Sequence, residues 1–318
     1  IMPNSHVFND SLIGFLNNGE LLVYNAKRME FVVGDAAPVR SGAFGPGSWD
    51  LSKTPTITDK ILVTIFRDDL LQIASTASPF GRLLEFGATA QDPDFVRYEL
   101  PSRYDEVIPV INDKYLLIPY LSKQSTSQKR FCFLAEVDAA APGRPAVRSV
   151  KRLVFEQSGF GLLNELANMA VVNGHFYVTY ASRSTHRVDT AGNMKQLNRQ
   201  FSGFFNVNNL LFAADGGGDL HTSNDNGQSF RPFHTADITW FFMRSVNIGG
   251  ETFNYVHDII LEMTFQGNAL SWRSLDNTGL ERSRITSVNK CGDKVFVTTL
   301  DGVFYKHWSH FKTLRRAP

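Results

Sequence analysis

Short runs of alternating apolar and polar residues recur along the whole chain, separated by turns of Gly, Asp or Asn. The pattern is clearest at residues 208–223 and 292–305, where two apolar runs flank a Gly/Asp turn. Two such runs joined by a tight turn predict a β-hairpin. The same pattern occurs at residues 9–24, 58–74, 112–133, 173–188 and 257–272.

These hairpins mark seven repeat units. To measure the repeat length, we take one turn residue before each hairpin as the reference position of its unit. The intervals between successive reference positions are 49, 54, 61, 35, 49 and 35 residues, for Asp10, Asp59, Asp113, Gly174, Asn209, Asp258 and Asp293. Units of this size suit the four-stranded blades of a β-propeller. We therefore predict an all-β propeller of seven blades with four antiparallel strands each. Six blades are the alternative, because a 35-residue interval could reflect a hairpin miscounted as a blade.

Each unit of such a repeat packs only on its neighbours, so a single domain can exceed the usual size. We predict one domain over residues 1–318. Helical patterning is confined to residues 162–168. A ring also needs closure, and residues 6–8 are predicted to add a strand beside the last unit.

The charge balance argues against nucleic acid or an anionic membrane as partner. The chain has 32 Lys and Arg against 31 Asp and Glu, so no net field attracts a polyanion. No apolar run reaches the length of about 18 residues that a membrane span needs. A signal sequence or lipid anchor before Ile1 stays open.

Neither cysteine nor histidine usage points to a metal or a cofactor. Cys132 and Cys291 fall in different units, so we expect two free thiols. No Cys/His cluster has zinc spacing. The Asp/Asn-rich residues 215–227 do not follow the calcium-loop pattern, and we predict no metal and no cofactor.

The irregular connections between hairpins are rich in aromatic residues and Arg. In a propeller, these crossings emerge on the same face as the turns between the second and third strands of each blade, and loops held by a rigid scaffold commonly carry function. Aromatic and Arg side chains dominate interface hot spots. The candidate binding residues are Trp49, Tyr98, Arg103, Tyr104, Trp240 and Arg244.

Residues 223–230 read Ser-Asn-Asp-Asn-Gly-Gln-Ser-Phe. This stretch resembles the Asp-box, or BNR repeat, whose pattern is Ser-x-Asp-x-Gly-x-x-Trp/Phe in the hairpin between third and fourth strands. Ser223 and Asp225 would satisfy turn amides, Gly227 would take a conformation closed to other residues, and Phe230 would pack on the sheet. Residues 274–279 look like a degenerate copy. The wider resemblance, to sialidase-like and photosystem-assembly-factor-like propellers, concerns architecture only.

The resemblance places the box away from the ligand-binding face, which implies a structural role for Asp225. It also implies an extracytoplasmic location: secreted, periplasmic or surface-attached. Asp-box propellers include sialidases, so glycoside hydrolysis is one hypothesis. The Phe-Arg-Ile-Pro element of that family is absent near the beginning of this chain.

Two functions from different classes therefore stay open. The first, which we favour, is a non-catalytic module that binds a protein or glycan on its loop-rich face. The alternative is a glycoside hydrolase, which would need two carboxylates roughly 5–10 Å apart, one of them with a raised pKa. Its candidate carboxylates are Asp68, Asp69, Asp105 and Glu165.

Overall fold

Strands form at nearly every alternating apolar run in the computed structural model. It describes residues 5–8, 11–15, 21–25, 30–34, 56–57, 60–67, 69–75, 84–99, 108–138, 146–157, 163, 165–181, 184–197, 199–233, 244–266, 268–299 and 302–314. The chain divides into two compact units. Unit 1 comprises Ile1–Asp35 and Ser202–Pro318, and unit 2 comprises Ala36–Phe201. One domain over residues 1–318 stays a prediction.

Among its described residues, unit 2 contains three sheets and one short helix. Its elements are β5 (Thr56–Ile57), β6 (Ile61–Arg67), β7 (Leu70–Ser75), β8 (Leu84–Gly87), α1 (Ala88–Gln91), β9 (Phe95–Tyr98), β10 (Val110–Ile111), β11 (Tyr115–Ser122), β12 (Lys129–Asp138), β13 (Ala146–Glu156), β14 (Leu166–Val172), β15 (His175–Tyr180), β16 (Ser184–Val188) and β17 (Met194–Leu197).

The described part of unit 1 contains four sheets and a second short helix. Its first sheet consists of β1 (Ser5–Phe8), β2 (Ser11–Phe15), β3 (Leu21–Asn25) and β4 (Glu30–Gly34). The remaining elements are β18 (Phe201–Val207), β19 (Leu210–Asp215), β20 (Leu220–Ser223), β21 (Arg231–Phe233), β22 (Arg244–Ile248), β23 (Glu251–Val256), β24 (Ile259–Gln266), β25 (Ala269–Ser274), β26 (Ile285–Cys291), β27 (Lys294–Thr299), β28 (Val303–His307) and α2 (Trp308–Phe311).

Among the described residues, the strands make seven antiparallel sheets in which consecutive strands pair. The sheets are β1–β4, β5–β8, β9–β13, β14–β17, β18–β21, β22–β25 and β26–β28. The third sheet has a divided first strand, because β9 and β10 pair with successive parts of β11. All seven predicted hairpins form, because short Asn, Asp and Gly turns set the register of the strands they join. Six of them join the second and third strands of their sheet, and the one at residues 257–272 joins the third and fourth.

Apolar side chains from neighbouring sheets build the cores. In unit 2, Phe86 of β8 and Phe133 of β12 meet edge to face with ring centroids 5.7 Å apart, and Tyr120 stacks on Phe133 at 4.1 Å. A second cluster joins the third and fourth sheets through Phe155 and Tyr180. Fully burying one such side chain contributes roughly 1.5–3 kcal/mol.

The structure corrects the register of the sixth unit. Asp258 lies between β23 and β24, the second and third strands of the sheet, whereas the first turn of that sheet is at Gly249 and Gly250. Taking Gly250 as the reference position changes the intervals around it from 49 and 35 residues to about 41 and 43, close to the roughly 40–50 residues typical of blades. Both turns place residues at positive φ, including His257 at 52°, so turn chemistry does not distinguish them.

Two smaller predictions were also wrong, and a third was right only in part. Residues 166–168, predicted as helical, belong to strand β14. Residues 274–279 follow the fourth strand of their sheet rather than its third, so they do not occupy the place of an Asp-box. Residues 6–8 form β1, which lies beside β26 of the last sheet, as predicted. Among the described residues, β1 is hydrogen-bonded to β2 of the first sheet, so it does not complete the last sheet.

Both cysteines are buried and free, as predicted. In the part of the chain that the structure describes, neither helix is long enough to span a membrane.

Candidate functional site

In the second and third sheets, the crossing that leaves the sheet is hydrogen-bonded to the turn between its second and third strands. There the amide of Ala88, in the second crossing, donates to the carbonyl of Asp69 in the β6–β7 turn at 2.8 Å. The amide of Gln157 donates to Gln128 O at 3.0 Å, and that of Leu163 donates to Ser127 O. Crossings and turns between second and third strands are thus bonded together. We call this region the crossing end of unit 2.

One polar network at the crossing end is fully satisfied. The Asp92 carboxylate, 4% exposed, accepts from Tyr120 OH at 2.8 Å and from the Asp94 amide at 2.9 Å. Arg152 Nη2 lies 3.4 Å from Asp92 Oδ2, its Nε donates to Tyr120 OH at 3.1 Å, and its guanidinium covers the Phe131 ring. Burial favours a higher pKa for Asp92, but the hydrogen bonds and Arg152 outweigh it and lower that pKa. This network stabilises the fold.

A second polar group, between the third and fourth sheets, is not satisfied. We call Glu99, Arg130, Tyr180, Ser184 and His186 the Glu99 cluster. Glu99 follows β9 and its amide donates to Pro119 O. Arg130 lies on β12. Tyr180 and Ser184 are register partners on β15 and β16, and His186 is two residues further, so their side chains share one face.

The members of the Glu99 cluster meet through packing and charge. The Phe155 ring lies 6.0 Å from Tyr180 and 5.1 Å from His186, centroid to centroid. Arg130 Nε is 3.6 Å from Glu99 Oε1, too far for a hydrogen bond. The side chains of Glu99 and Arg130 are 14% and 15% exposed, whereas Tyr180 is completely buried.

Five buried polar atoms in this cluster lack a hydrogen-bond partner among the described residues. They are Glu99 Oε2, Arg130 Nε, Tyr180 OH, Ser184 Oγ and His186 Nδ1. Native proteins satisfy the large majority of buried polar side-chain atoms, and leaving one unpaired costs about 1–3 kcal/mol. Five unpaired polar atoms in one cluster therefore do not serve the stability of the fold. Features that lower stability in this way concentrate at functional sites.

The pKa shifts in the Glu99 cluster suit a role in hydrogen bonding to a partner better than a role in proton transfer. Burial raises the pKa of Glu99, with Arg130 and Arg97 opposing the rise. Burial raises the pKa of Tyr180 and lowers that of His186 to about 4, so the imidazole is neutral at pH 7. A nucleophile activated by a base needs a hydrogen bond between them, and the five atoms make none to one another.

The sequence-predicted residues fall at different places. Asp69 lies in the β6–β7 turn, where its carboxylate accepts from Thr89 Oγ1 at 3.0 Å and its carbonyl accepts from Tyr98 OH at 3.0 Å. Burial raises the pKa of Tyr98, which is 9% exposed. Glu165 is exposed and influences Glu99 electrostatically. Among the described residues, no hydrogen bond or ion pair joins Asp69 to Glu165.

Arg244, in unit 1, begins β22 and donates from Nη1 to Thr286 O at 2.9 Å. The other predicted residues lie outside the described residues: Trp49, Asp68, Arg103, Tyr104, Asp105 and Trp240.

Sequence reasoning missed every member of the Glu99 cluster. A usable signal exists for two of them. Arg130 shares the face of buried Cys132, and His186 shares that of buried Val188, so strand alternation places both on inward positions. Polar residues at inward positions are uncommon enough to flag a site. Glu99 has no such signal, because it lies just beyond a short strand.

The 223–230 turn lies between β20 and β21, the third and fourth strands of their sheet. Asp225 Oδ1 accepts from Ser223 Oγ at 2.7 Å and from the Ser229 amide at 2.9 Å, while Oδ2 accepts from Ser229 Oγ at 2.5 Å. Burial favours a higher pKa for Asp225, but these bonds outweigh it and lower the pKa to about 2. Gly227 has φ +78° and Phe230 packs edge to face on Phe204. The turn is closed by its own side chains.

In the described part of the chain, no group of three or more His, Cys, Asp or Glu side chains could hold a metal ion.

Comparison with known proteins identifies the fold. Neither a protein-family model nor a curated protein sequence matches the chain. The crystal structure of BamB from Moraxella catarrhalis is similar, with TM-score 0.50 and 13% identity over 94% of this chain and 83% of that one. The computationally designed Ika8 protein is similar with TM-score 0.51 and 9% identity over 96% of both chains. Both are β-propellers, so the predicted all-β propeller architecture is confirmed, and the number of blades stays a prediction.

Proposed function

We propose that this propeller is a non-catalytic binding module that holds a protein partner at the crossing end of unit 2. The observation that supports the proposal is the contrast between two buried polar groups at that end. The Asp92 network satisfies its own atoms, whereas the Glu99 cluster leaves five polar atoms unpaired among the described residues. A partner that pairs with Glu99 and Arg130 would recover part of that penalty on binding.

Glu99 and Arg130 are the members that a partner reaches first, since both side chains retain some exposure. Arg is enriched at interface hot spots, and charged hydrogen bonds that become desolvated contribute strongly there. Arg103 and Tyr104, which follow Glu99 closely in sequence, are proposed as neighbouring contacts. The binding roles of Trp49 and Tyr98 in unit 2, and of Trp240 and Arg244 in unit 1, stay proposals for each unit by itself. The extracytoplasmic location also belongs to this proposal.

Site-specific photo-crosslinking tests the proposal. A photoreactive phenylalanine analogue replaces Tyr104 in one variant and Met194 in a matched control. Met194 is 39% exposed and begins β17, at the opposite end of the fourth sheet. In an extract of the producing organism, position 104 should yield a defined cross-linked protein that position 194 does not. Equal products from both positions, or none from position 104, would contradict the proposal.

Substitutions in the cluster identify which residues carry the binding. Glu99→Gln and Arg130→Gln should each reduce capture of the cross-linked protein by at least about tenfold, the effect of losing one charge-assisted hydrogen bond. Arg148→Gln is the control, because Arg148 makes an exposed ion pair with Asp138 on the same sheet. Capture that survives both cluster substitutions would place the binding surface elsewhere.

The same protein separates a glycan ligand and glycoside hydrolysis from protein binding. Thermal stabilisation by sialylated oligosaccharides without released sugar would indicate a glycan binder. Stabilisation with released sugar would indicate a hydrolase and direct attention to Asp68, Asp69, Asp105 and Glu165. We expect neither response.

We also propose that residues 223–230 are an Asp-box with a structural role. Their position between third and fourth strands and the three hydrogen bonds to Asp225 support this. Since the Asp225 carboxylate is engaged within its own turn, we assign it no ligand.

A further inference from the structure

The charged side chains around the Glu99 cluster balance each other. Arg130 Nε lies 3.6 Å from Glu99 Oε1, so these two groups form a pair of opposite charge. Arg97 and Glu165 also act on Glu99 electrostatically, and they are again one cation and one anion. The local charge around Glu99 is therefore close to zero.

The more deeply buried side chains add no charge at neutral pH. Burial raises the pKa of Tyr180 and that of Cys132, which acts on Tyr180 electrostatically, so both groups are neutral. Burial lowers the pKa of His186 to about 4, so the imidazole is neutral as well. A charged group that entered the cluster would lose its hydration without gaining a counter-ion that is not already paired, which is strongly unfavourable. The charges therefore favour an uncharged occupant.

The unpaired atoms of the cluster require an occupant that both donates and accepts hydrogen bonds. Glu99 Oε2 and Arg130 Nε have no hydrogen-bond partner among the described residues. A carboxylate oxygen only accepts and a guanidinium N–H only donates, whereas the hydroxyls of Tyr180 and Ser184 can do either. The carboxamide of Asn or Gln combines two N–H donors with an acceptor oxygen in one uncharged group, while a hydroxyl has one donor, an ammonium has no acceptor and a carboxylate has no donor. Among protein side chains, the carboxamide therefore matches the cluster best.

The cluster is held in position and is accessible from one side. Arg130 Nη1 donates to the carbonyls of Thr126 and Lys129, which fixes the guanidinium beside the turn between β11 and β12. The side chains of Glu99 and Arg130 are partly exposed, whereas Tyr180 is completely buried. A group that arrives from solvent therefore reaches Glu99 and Arg130 first and the hydroxyls after them.

If the crossing end of unit 2 holds a protein partner, as proposed above, we infer that the partner inserts the carboxamide of an Asn or Gln side chain into the Glu99 cluster. The amide nitrogen donates to Glu99 Oε2, and the amide oxygen accepts from Arg130 Nε. The second N–H and the second lone pair of the oxygen remain for the hydroxyls of Tyr180 and Ser184. The inserted amide determines which partner is accepted, because a charged residue in its place would be buried unpaired.

Peptide selection followed by a change of charge in the cluster tests the inference. Random dodecapeptides are selected on the whole protein, and those whose binding weakens at least about tenfold in Glu99→Gln and in Arg130→Gln are assigned to the cluster. These peptides should share an Asn or Gln. In fluorescence polarisation, replacing that residue by Glu or Lys should weaken binding to wild type by at least about tenfold.

The preference should follow the charge of the cluster. Glu99→Gln leaves Arg130 unopposed, so the peptide with Glu in place of the amide should bind this variant at least about tenfold more tightly than it binds wild type. Arg130→Gln leaves Glu99 unopposed and should favour the peptide with Lys in the same way. If Arg130→Gln does not fold, Glu99→Gln and the Glu peptide decide the question alone.

Arg148→Gln is the matched control, because it removes an exposed ion pair with Asp138 on the same sheet. It should bind all three peptides as wild type does. Cluster-dependent peptides that share a charged residue instead of an amide would overturn this inference and leave the proposed binding function intact. Failure to select any peptide whose binding depends on Glu99 and Arg130 would overturn the inference together with the proposed function.

Discussion

Replacing Asp225 by Ala removes the acceptor that closes the turn between β20 and β21. Three donors lose their partner: Ser223 Oγ, the Ser229 amide and Ser229 Oγ. The Ser223 hydroxyl also accepts from the Gly227 amide at 2.8 Å, so its orientation depends on Asp225. The substitution should therefore loosen the whole turn rather than break one bond.

The magnitude follows from the number of bonds and from the pKa. Hydrogen bonds to charged groups contribute about 1.5–3 kcal/mol each when buried. Because two of these three are solvent-exposed, we expect a total loss of about 2 kcal/mol in the free energy of unfolding. The pKa falls from 3.8 to about 2, which sets an upper limit of about 2.5 kcal/mol on the pH-dependent share. Solvent screening reduces that share to about 1 kcal/mol.

The sign of the pH effect follows from the lowered pKa. An acid whose pKa is depressed by folding stabilises the protein above its unfolded pKa, and the contribution disappears as pH falls through the folded pKa. Urea unfolding of wild type and Asp225→Ala, followed by circular dichroism, should show a difference that is constant above pH 5 and shrinks between pH 4 and 2. Asp219→Ala is the control, since Asp219 is exposed in the adjacent β19–β20 turn. A difference below about 0.5 kcal/mol, or one independent of pH, would refute the reasoning.

Three further predictions concern stability and reactivity. Glu99→Gln should leave the melting temperature at pH 7 unchanged or higher. Because burial raises the Glu99 pKa, the difference in melting temperature between the variant and wild type should shrink as pH falls toward 4.5 and Glu99 becomes protonated. Differential scanning calorimetry across this pH range measures the difference. Gly227→Ala should cost about 1–2 kcal/mol because of its φ of +78°, whereas Gly217→Ala should cost little in urea unfolding. The thiols of Cys132 and Cys291 should react with a disulfide reagent only on unfolding, because both are buried; rapid labelling of the native protein would contradict this.

The fold was predictable because β-hairpins are local. Turns such as Asn208-Asn209 and Gly292-Asp293 specify their strands within about 15 residues. All seven predicted hairpins form, and only the one at residues 257–272 joins the third and fourth strands of its sheet instead of the second and third. The sixth unit failed because Gly249-Gly250 and His257-Asp258 are both good turns, and pairing with the rest of the sheet decides which is first. Residues 166–168 have a local helical pattern but form part of strand β14, because pairing with β15 decides their conformation.

The candidate site was much less predictable. Asp225 and its turn were identified because the hydrogen bonds that close the turn lie within seven residues. The Glu99 cluster joins side chains from residues 99 to 186, and only the packing of two sheets brings them together. Missing hydrogen-bond partners are a property of the assembled interior, so the sequence contains no direct signal of them.

The most direct test of the account is the dissociation constant of the partner captured at position 104, measured for wild type and Glu99→Gln by isothermal titration calorimetry. The account predicts that binding weakens at least tenfold while the melting temperature is not lowered, because Glu99 serves recognition at a cost to stability. An unchanged dissociation constant, with or without a lower melting temperature, would contradict the claim that the crossing end of unit 2 is a binding surface built around Glu99.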